Sequence, residues 1–181
     1  IDHLPLYRQQ SIFHRHGIGI PRDLIVHWIH KSIELLELVA RAIRAETLAS
    51  DYLQIDETPV RYLVPGSGKA QQGYLWVASS PGGSLFYHWG VGRGQDQLIE
   101  TLGADFCGDI QCDGYGAYKA HAKSNPGARL IACLAHIRRN FAEALDIAPD
   151  QHAARVVLLI AHLYGIEEDL RESKAGSALR E

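Results

Sequence analysis

The run Tyr52-Leu53-Gln54-Ile55-Asp56-Glu57-Thr58-Pro59-Val60-Arg61-Tyr62-Leu63-Val64 changes the character of the chain. Two further β-rich runs follow it, Gly73-Tyr74-Leu75-Trp76-Val77-Ala78 and Leu85-Phe86-Tyr87-His88-Trp89-Gly90-Val91, punctuated by Pro65-Gly66-Ser67-Gly68 and Pro81-Gly82-Gly83. Turn residues between β-rich runs predict an antiparallel three-stranded meander. Downstream the period changes. Residues 95–102 read as a helix, 109–113 as a short strand ending at Gly114, 115–122 as a helix, 129–133 as a strand, and about 136–145 as a helix. A long amphipathic helix over 152–172 follows, loosened by Gly176 and Ser177. Three strands followed by alternating helix and strand is an α/β layout with a mixed sheet.

Upstream of Tyr52 the apolar residues recur at three- and four-residue spacing from Leu6 to Ile43, the signature of helix. Gly17 and Gly19 divide that stretch in two. Pro21 suits the first turn of the second helix, where its missing N–H is no loss and its fixed φ is already helical. Helix, short glycine turn, helix is a candidate helix-turn-helix, and equally an ordinary helical hairpin.

The 181 residues carry 46% hydrophobic and 22% charged side chains, a globular composition that excludes disorder and fibre. No apolar run approaches the ~20 residues of a membrane-spanning helix, so no membrane partner is expected. Cys107, Cys112 and Cys133 are too few for a secreted disulfide framework, which points to a cytoplasmic protein. The chain begins at Ile1 and holds no methionine, as expected of a piece of a longer reading frame. Its net charge of −3 argues weakly against nucleic acid, yet Lys119, Lys123, Arg129, Arg138 and Arg139 fall between Gly114 and Glu143 without an intervening acid. That is either a phosphate-facing strip or an ordinary solvated face.

Two aspartates hold corresponding places: Asp56 on the first strand and Asp113 at the end of the fourth. An acid flanked by apolar strand residues needs compensation. Two carboxylates on neighbouring strands can hold Mg²⁺, whose hard-ligand preference they match, and a metal pair can activate a nucleophile and stabilise a leaving oxygen at a phosphodiester. Strand-end capping is the plainer alternative. Cys133-Leu134-Ala135-His136 invites a zinc reading with Cys107 and Cys112, but the spacing lacks two tight pairs. His136, beside Arg138 and Arg139, is better suited to hold a phosphate or tune a carboxylate. Gly66-Ser67-Gly68-Lys69 lacks the earlier glycine of a nucleotide-binding loop and has Ala70 where a hydroxyl is needed, so it reads as a hairpin turn. Gly90-Val91-Gly92-Arg93-Gly94 reads as a loop whose Arg93 contacts a backbone phosphate. Glu57 should face away from Asp56 on an alternating strand and is left out of the site.

The stretches Asp51–Val60, Gly73–Val77, Gln111–Tyr118 and Cys133–Phe141 together resemble the transposases of the insertion-sequence-66 family, and the likeness runs across nearly the whole chain. The resemblance implies an RNase H-like core whose Asp-Asp-Glu triad binds two Mg²⁺ (or Mn²⁺) ions, cleaves transposon ends and joins them to target DNA. It implies catalytic and metal-binding roles for Asp56 and Asp113, and it matches Cys133 and His136 to the family's Cys-x-x-His motif. Arg138, Arg139, His136, Arg93 and Lys119 are then the expected DNA contacts, and a homo-oligomer the expected working unit. On this reading residues 1–50 are a helical lead-in, 51–147 a partial catalytic core and 148–181 the start of a helical insertion. The likeness fails at the third acid: Glu143, Glu167, Glu168 and Glu172 match no motif, which places that acid beyond Glu181. The alternative is a catalytically inactive, truncated remnant that binds only DNA or a partner.

Overall fold

The computed structural model describes residues 5–173. Two helices, α1 (Leu6–Arg15) and α2 (Arg22–Leu48), lead into β1 (Tyr52–Leu63), β2 (Ala70–Ser79) and β3 (Leu85–Gly90). Then come α3 (Gln95–Leu102), β4 (Gly108–Cys112), α4 (Gly116–Ser124), β5 (Ala128–Ala132), α5 (Leu134–Ile147) and α6 (Gln151–Glu172). The elements agree with the sequence reading to within two or three residues at their ends, except that α2 runs five residues past Ile43, to Leu48. Gly176 and Ser177 lie outside the described residues.

The five strands form one sheet in the order β3-β2-β1-β4-β5. β1 pairs with β2, and β2 with β3, antiparallel, as the turns at Pro65–Lys69 and Pro81–Ser84 require. β1–β4 and β4–β5 are parallel, because helices carry the chain back between those strands. The α/β class and mixed sheet expected from the sequence are therefore present.

β1 is paired unequally on its two sides. Against β2 the register runs from Gln54↔Ser79 to Leu63↔Ala70, whereas against β4 it stops at Gln54↔Gln111. Beyond Gln54 the strand projects past the end of β4 with one neighbour only. Pro59, which has no N–H to give a ladder, sits in that projecting half, where it costs no bond to β4.

The two faces of the sheet differ. Leu53 and Ile55 of β1, Trp76 and Ala78 of β2, Phe86 of β3, and Ile110 and Cys112 of β4 turn to one side, where Leu98 and Leu102 of α3 and Tyr118 of α4 cover them. The other face presents Gln54, Asp56, Val77, Ser79 and Gln111 towards the start of α5 and towards Tyr164 of α6, across a cavity of about 430 Å³. α2 docks by its C-terminal end, where Arg44 donates to the carbonyls of Glu100 (3.1 Å) and Thr101 (3.0 Å) and lies over the Phe86 ring.

Candidate active site

Asp56 lies two residues past the last β1–β4 pair, and Asp113 is the first residue after β4. Continuing the parallel register sets Asp56 opposite Asp113, so the place where β1 outruns β4 has an aspartate on each side. The Asp56 carboxylate is half exposed; its Oδ1 accepts the Glu57 N–H at 3.0 Å, and His136 Nε2 lies 3.8 Å from its Oδ2. His136 is carried there by the first turn of α5, which begins at Leu134 and not at His136, because Cys133 accepts the Ile137 N–H at 3.0 Å and starts the helix two residues early.

Asp113 is held from two sides. Its Oδ1 accepts the Tyr115 N–H at 2.8 Å across the turn at Gly114, whose φ of 79° suits glycine. Its Oδ2 accepts from Arg93 Nη2 at 2.8 Å. Arg93 comes from the loop between β3 and α3, and its guanidinium stacks over the Tyr115 ring, 3.8 Å from the centroid.

Arg93 Nε donates to Glu57 Oε1, and the Tyr118 hydroxyl donates to Glu57 Oε2 at 2.5 Å. The Glu57 side chain has no exposed surface. Sequence reasoning is right that Glu57 faces away from Asp56, but the opposite face is the core, and an ionised acid there needs donors. Burial pushes the Glu57 carboxyl above its usual value of 4.5, while the Tyr118 and Arg93 bonds pull it down. Burial, then the bond to Glu57, drives the Tyr118 phenol upward, so Tyr118 stays a donor at any ordinary pH. The signal for this cluster was in the sequence: Glu57 is in phase with Leu53 and Ile55. What the sequence lacked was the partner, which arrives from a loop 36 residues away.

The remaining expected residues fall in separate places. Lys119 on α4 and Arg138 and Arg139 on α5 are exposed and form no ion pair among the described residues. Arg129 leaves the basic strip, because its register partner on β4, Asp109, accepts a two-pronged bond from it at 2.7 and 3.0 Å. Arg93, expected to contact phosphate, has its donors on Glu57 and Asp113. Cys133 lines the cavity beside Asp56, whereas Cys107 precedes β4. Cys133 follows β5, and β4 and β5 run parallel, so a strand of five residues, roughly 16 Å, separates the two thiols. That distance excludes a zinc site shared by Cys107 and Cys133. Burial raises the Cys112 thiol.

The donor set suits a hard divalent cation. Two carboxylates from adjacent strands, with water and substrate phosphate completing the shell, is a common way to hold Mg²⁺. Among the described residues no group of three or more His, Cys, Asp or Glu side chains is gathered to hold a metal without such help.

The family model described as "Transposase IS66 family" matches residues 1–181. The chain belongs to the IS66 transposase family. Two proteins of Sinorhizobium fredii are also similar to this IS66-family chain: uncharacterized protein y4qI, 35% identical over 97% of the chain, and uncharacterized protein y4jD, 31% identical over 96% of it. The alignments cover 35% and 36% of those relatives, so the chain spans about a third of their length. Membership accounts for the four stretches picked out in the sequence. Two of those stretches carry Asp56 and Asp113, and a third carries Cys133 and His136. No helix among the described residues of this IS66-family chain is long and apolar enough to cross a membrane.

Proposed function

We propose that the chain is the front part of a transposase catalytic core, in which Asp56 and Asp113 hold Mg²⁺ or Mn²⁺ for phosphodiester cleavage and strand transfer on DNA. The observation that supports the reading is the register of β1 and β4, whose continuation past Gln54↔Gln111 puts the backbone positions of Asp56 and Asp113 opposite each other. The strand order β3-β2-β1-β4-β5, with three antiparallel strands followed by two parallel ones, supports an RNase H-like core. On this reading residues 51–147 form that core, 1–50 its helical lead-in and 148–181 the start of a helical insertion.

The bound metal supplies a Lewis acid and an activated oxygen nucleophile. The chain's own residues supply the rest. Asp56 presents an oxygen to the open side of the site, and the Tyr115 N–H fixes the orientation of Asp113. His136, 3.8 Å from Asp56, is within reach of a phosphate brought to the same carboxylate, to which a ring N–H can donate. Arg138, Arg139 and Lys119 offer charge to the DNA backbone at a distance from the metal pair. A third acid comes from the part of the relatives' length that this chain does not span, and the oligomer that aligns two DNA ends belongs to the whole protein.

Mn²⁺ titration followed by electron paramagnetic resonance tests the metal pair. The native chain takes up Mn²⁺ saturably, and Asp56→Asn and Asp113→Asn each abolish the uptake, with Asp56→Asn keeping the native melting curve. Unchanged uptake in both variants refutes the assignment.

A further inference from the structure

We propose that Arg93 is a resident cation of the site: its guanidinium holds the place on Asp113 that a divalent metal takes, and it yields that place when the metal binds. The inference rests on the reading of Asp56 and Asp113 as the metal pair.

The geometry separates what anchors Arg93 from what it offers. Nε is bonded to Glu57, whose side chain is wholly buried, and the guanidinium plane is stacked on Tyr115. Neither contact involves Asp113, so the arm keeps its place if Nη2 lets go. Asp113 is fixed in turn: with Oδ1 on the Tyr115 N–H, Oδ2 is the oxygen turned to a cation, and Arg93 Nη2 is 2.8 Å from it. A guanidinium and a divalent ion directed at one oxygen repel each other, so a metal that ligates Oδ2 does so in place of Nη2.

The two aspartates are therefore unequal. Among the described residues Asp56 has no guanidinium on it, and His136 lies 3.8 Å from its Oδ2. Asp56 would receive the cation first, and Asp113 would join in holding it only once Arg93 Nη2 lets go. Before loading, Arg93 compensates both Glu57 and Asp113 with one charge, which keeps the fold intact while raising the metal concentration the site requires. The arm has 31% of its side chain exposed and Asp113 has 21%, so the bond to be exchanged is neither fully buried nor fully screened.

Mn²⁺ titrations of the native chain, Arg93→Gln and Arg93→Lys decide the matter. Both variants should bind Mn²⁺ about five-fold more tightly, the fold-change expected when a part-exposed charge pair no longer competes. Lysine keeps the charge, but its single ammonium stays with the buried Glu57 and leaves Asp113 free. Tightening in both variants thus traces to the lost bond and not to the lost charge. Should Arg93→Gln fail to give a cooperative melt, Arg93→Lys alone carries the comparison. Unchanged or weaker binding in Arg93→Lys overturns the exchange and makes Arg93 a fixed support for Asp113. If that result comes with uptake still abolished by Asp56→Asn, the metal pair stands and the exchange alone falls. No saturable uptake by any of the chains overturns both, whereas uptake by the Arg93 variants alone supports the exchange.

Discussion

Removing one oxygen from the core, by Tyr118→Phe, tests whether the buried Glu57 is held as a carboxylate. Tyr118 has no exposed surface, its ring meets Trp76 edge-on at 6.2 Å between centroids, and its hydroxyl donates to Glu57 Oε2 at 2.5 Å. Phenylalanine keeps the ring and its packing, so the change reports the hydrogen bond. A bond to an ionised, buried acceptor contributes ~1.5–3 kcal/mol, and a bond to the neutral acid ~0.5–1.5 kcal/mol. The penalty should therefore depend on pH. Burial already lifts Glu57 above 4.5, so its contribution to stability is fully present below 4.5 and is lost as pH rises through the folded-state value. The Tyr118 bond opposes that lift. Without the bond the folded-state value moves higher still, and the loss between native chain and variant grows with pH. At neutral pH a cost of about 2 kcal/mol corresponds to roughly 4–8 °C in melting temperature for a chain of this size. Urea unfolding at several values between about pH 4.5 and about pH 8 reads the cost directly, as a shift of midpoint at unchanged slope. A penalty below about 0.5 kcal/mol at neutral pH, or one that does not change with pH, refutes the reasoning.

Asp56→Asn should leave stability within about 0.5 kcal/mol, because the carboxylate is half exposed and an asparagine Oδ1 can accept the Glu57 N–H as the carboxylate does at 3.0 Å, and a thermal melt checks this beside the Mn²⁺ titration. His121 is 1% exposed with neither ring nitrogen bonded, and burial lowers its pKa below 6.5. The native state therefore binds fewer protons there than the unfolded chain does. Stability falls as pH drops below 6.5, by at most about 1.4 kcal/mol per pH unit, and His121→Leu should flatten that limb in acid-unfolding curves. Gly108→Ala should cost at least about 2 kcal/mol in urea: φ is +152° and the new Cβ would lie 2.5 Å from the Asp51 carbonyl oxygen, which is backbone and cannot swing aside.

What could be read from the sequence, and what could not, divides at Asp56 and Glu57. The meander was legible because turn chemistry at Pro65–Lys69 and Pro81–Ser84 and the β-rich runs between act over a few residues. The parallel strands were legible because α3 and α4 have helical period and lengths that carry the chain back. Alternation even places Asp56 and Glu57 on opposite faces correctly. Alternation does not say which face is the core, since that depends on where α3, α4 and α5 pack. Asp56 therefore looked like the acid in need of compensation, whereas Glu57, in phase with Leu53 and Ile55, is the one with no exposed surface. Its compensation is non-local: Tyr118 lies 61 residues on and Arg93 36 residues on. The loop that delivers Arg93 shows in the sequence only as glycines around an arginine, a pattern equally consistent with a phosphate contact. The same separation explains Arg129, whose neutralising acid stands on the adjacent strand and is invisible to a charge count along the chain. Short-range rules thus located the strand end that carries Asp56 and the turn that carries Asp113. The charge balance of that site is set by residues that only the folded sheet brings together. The adjacent pair Asp56-Glu57 serves both sides of the sheet: one carboxylate faces the open cavity, and the other anchors, through Arg93, the aspartate across from it.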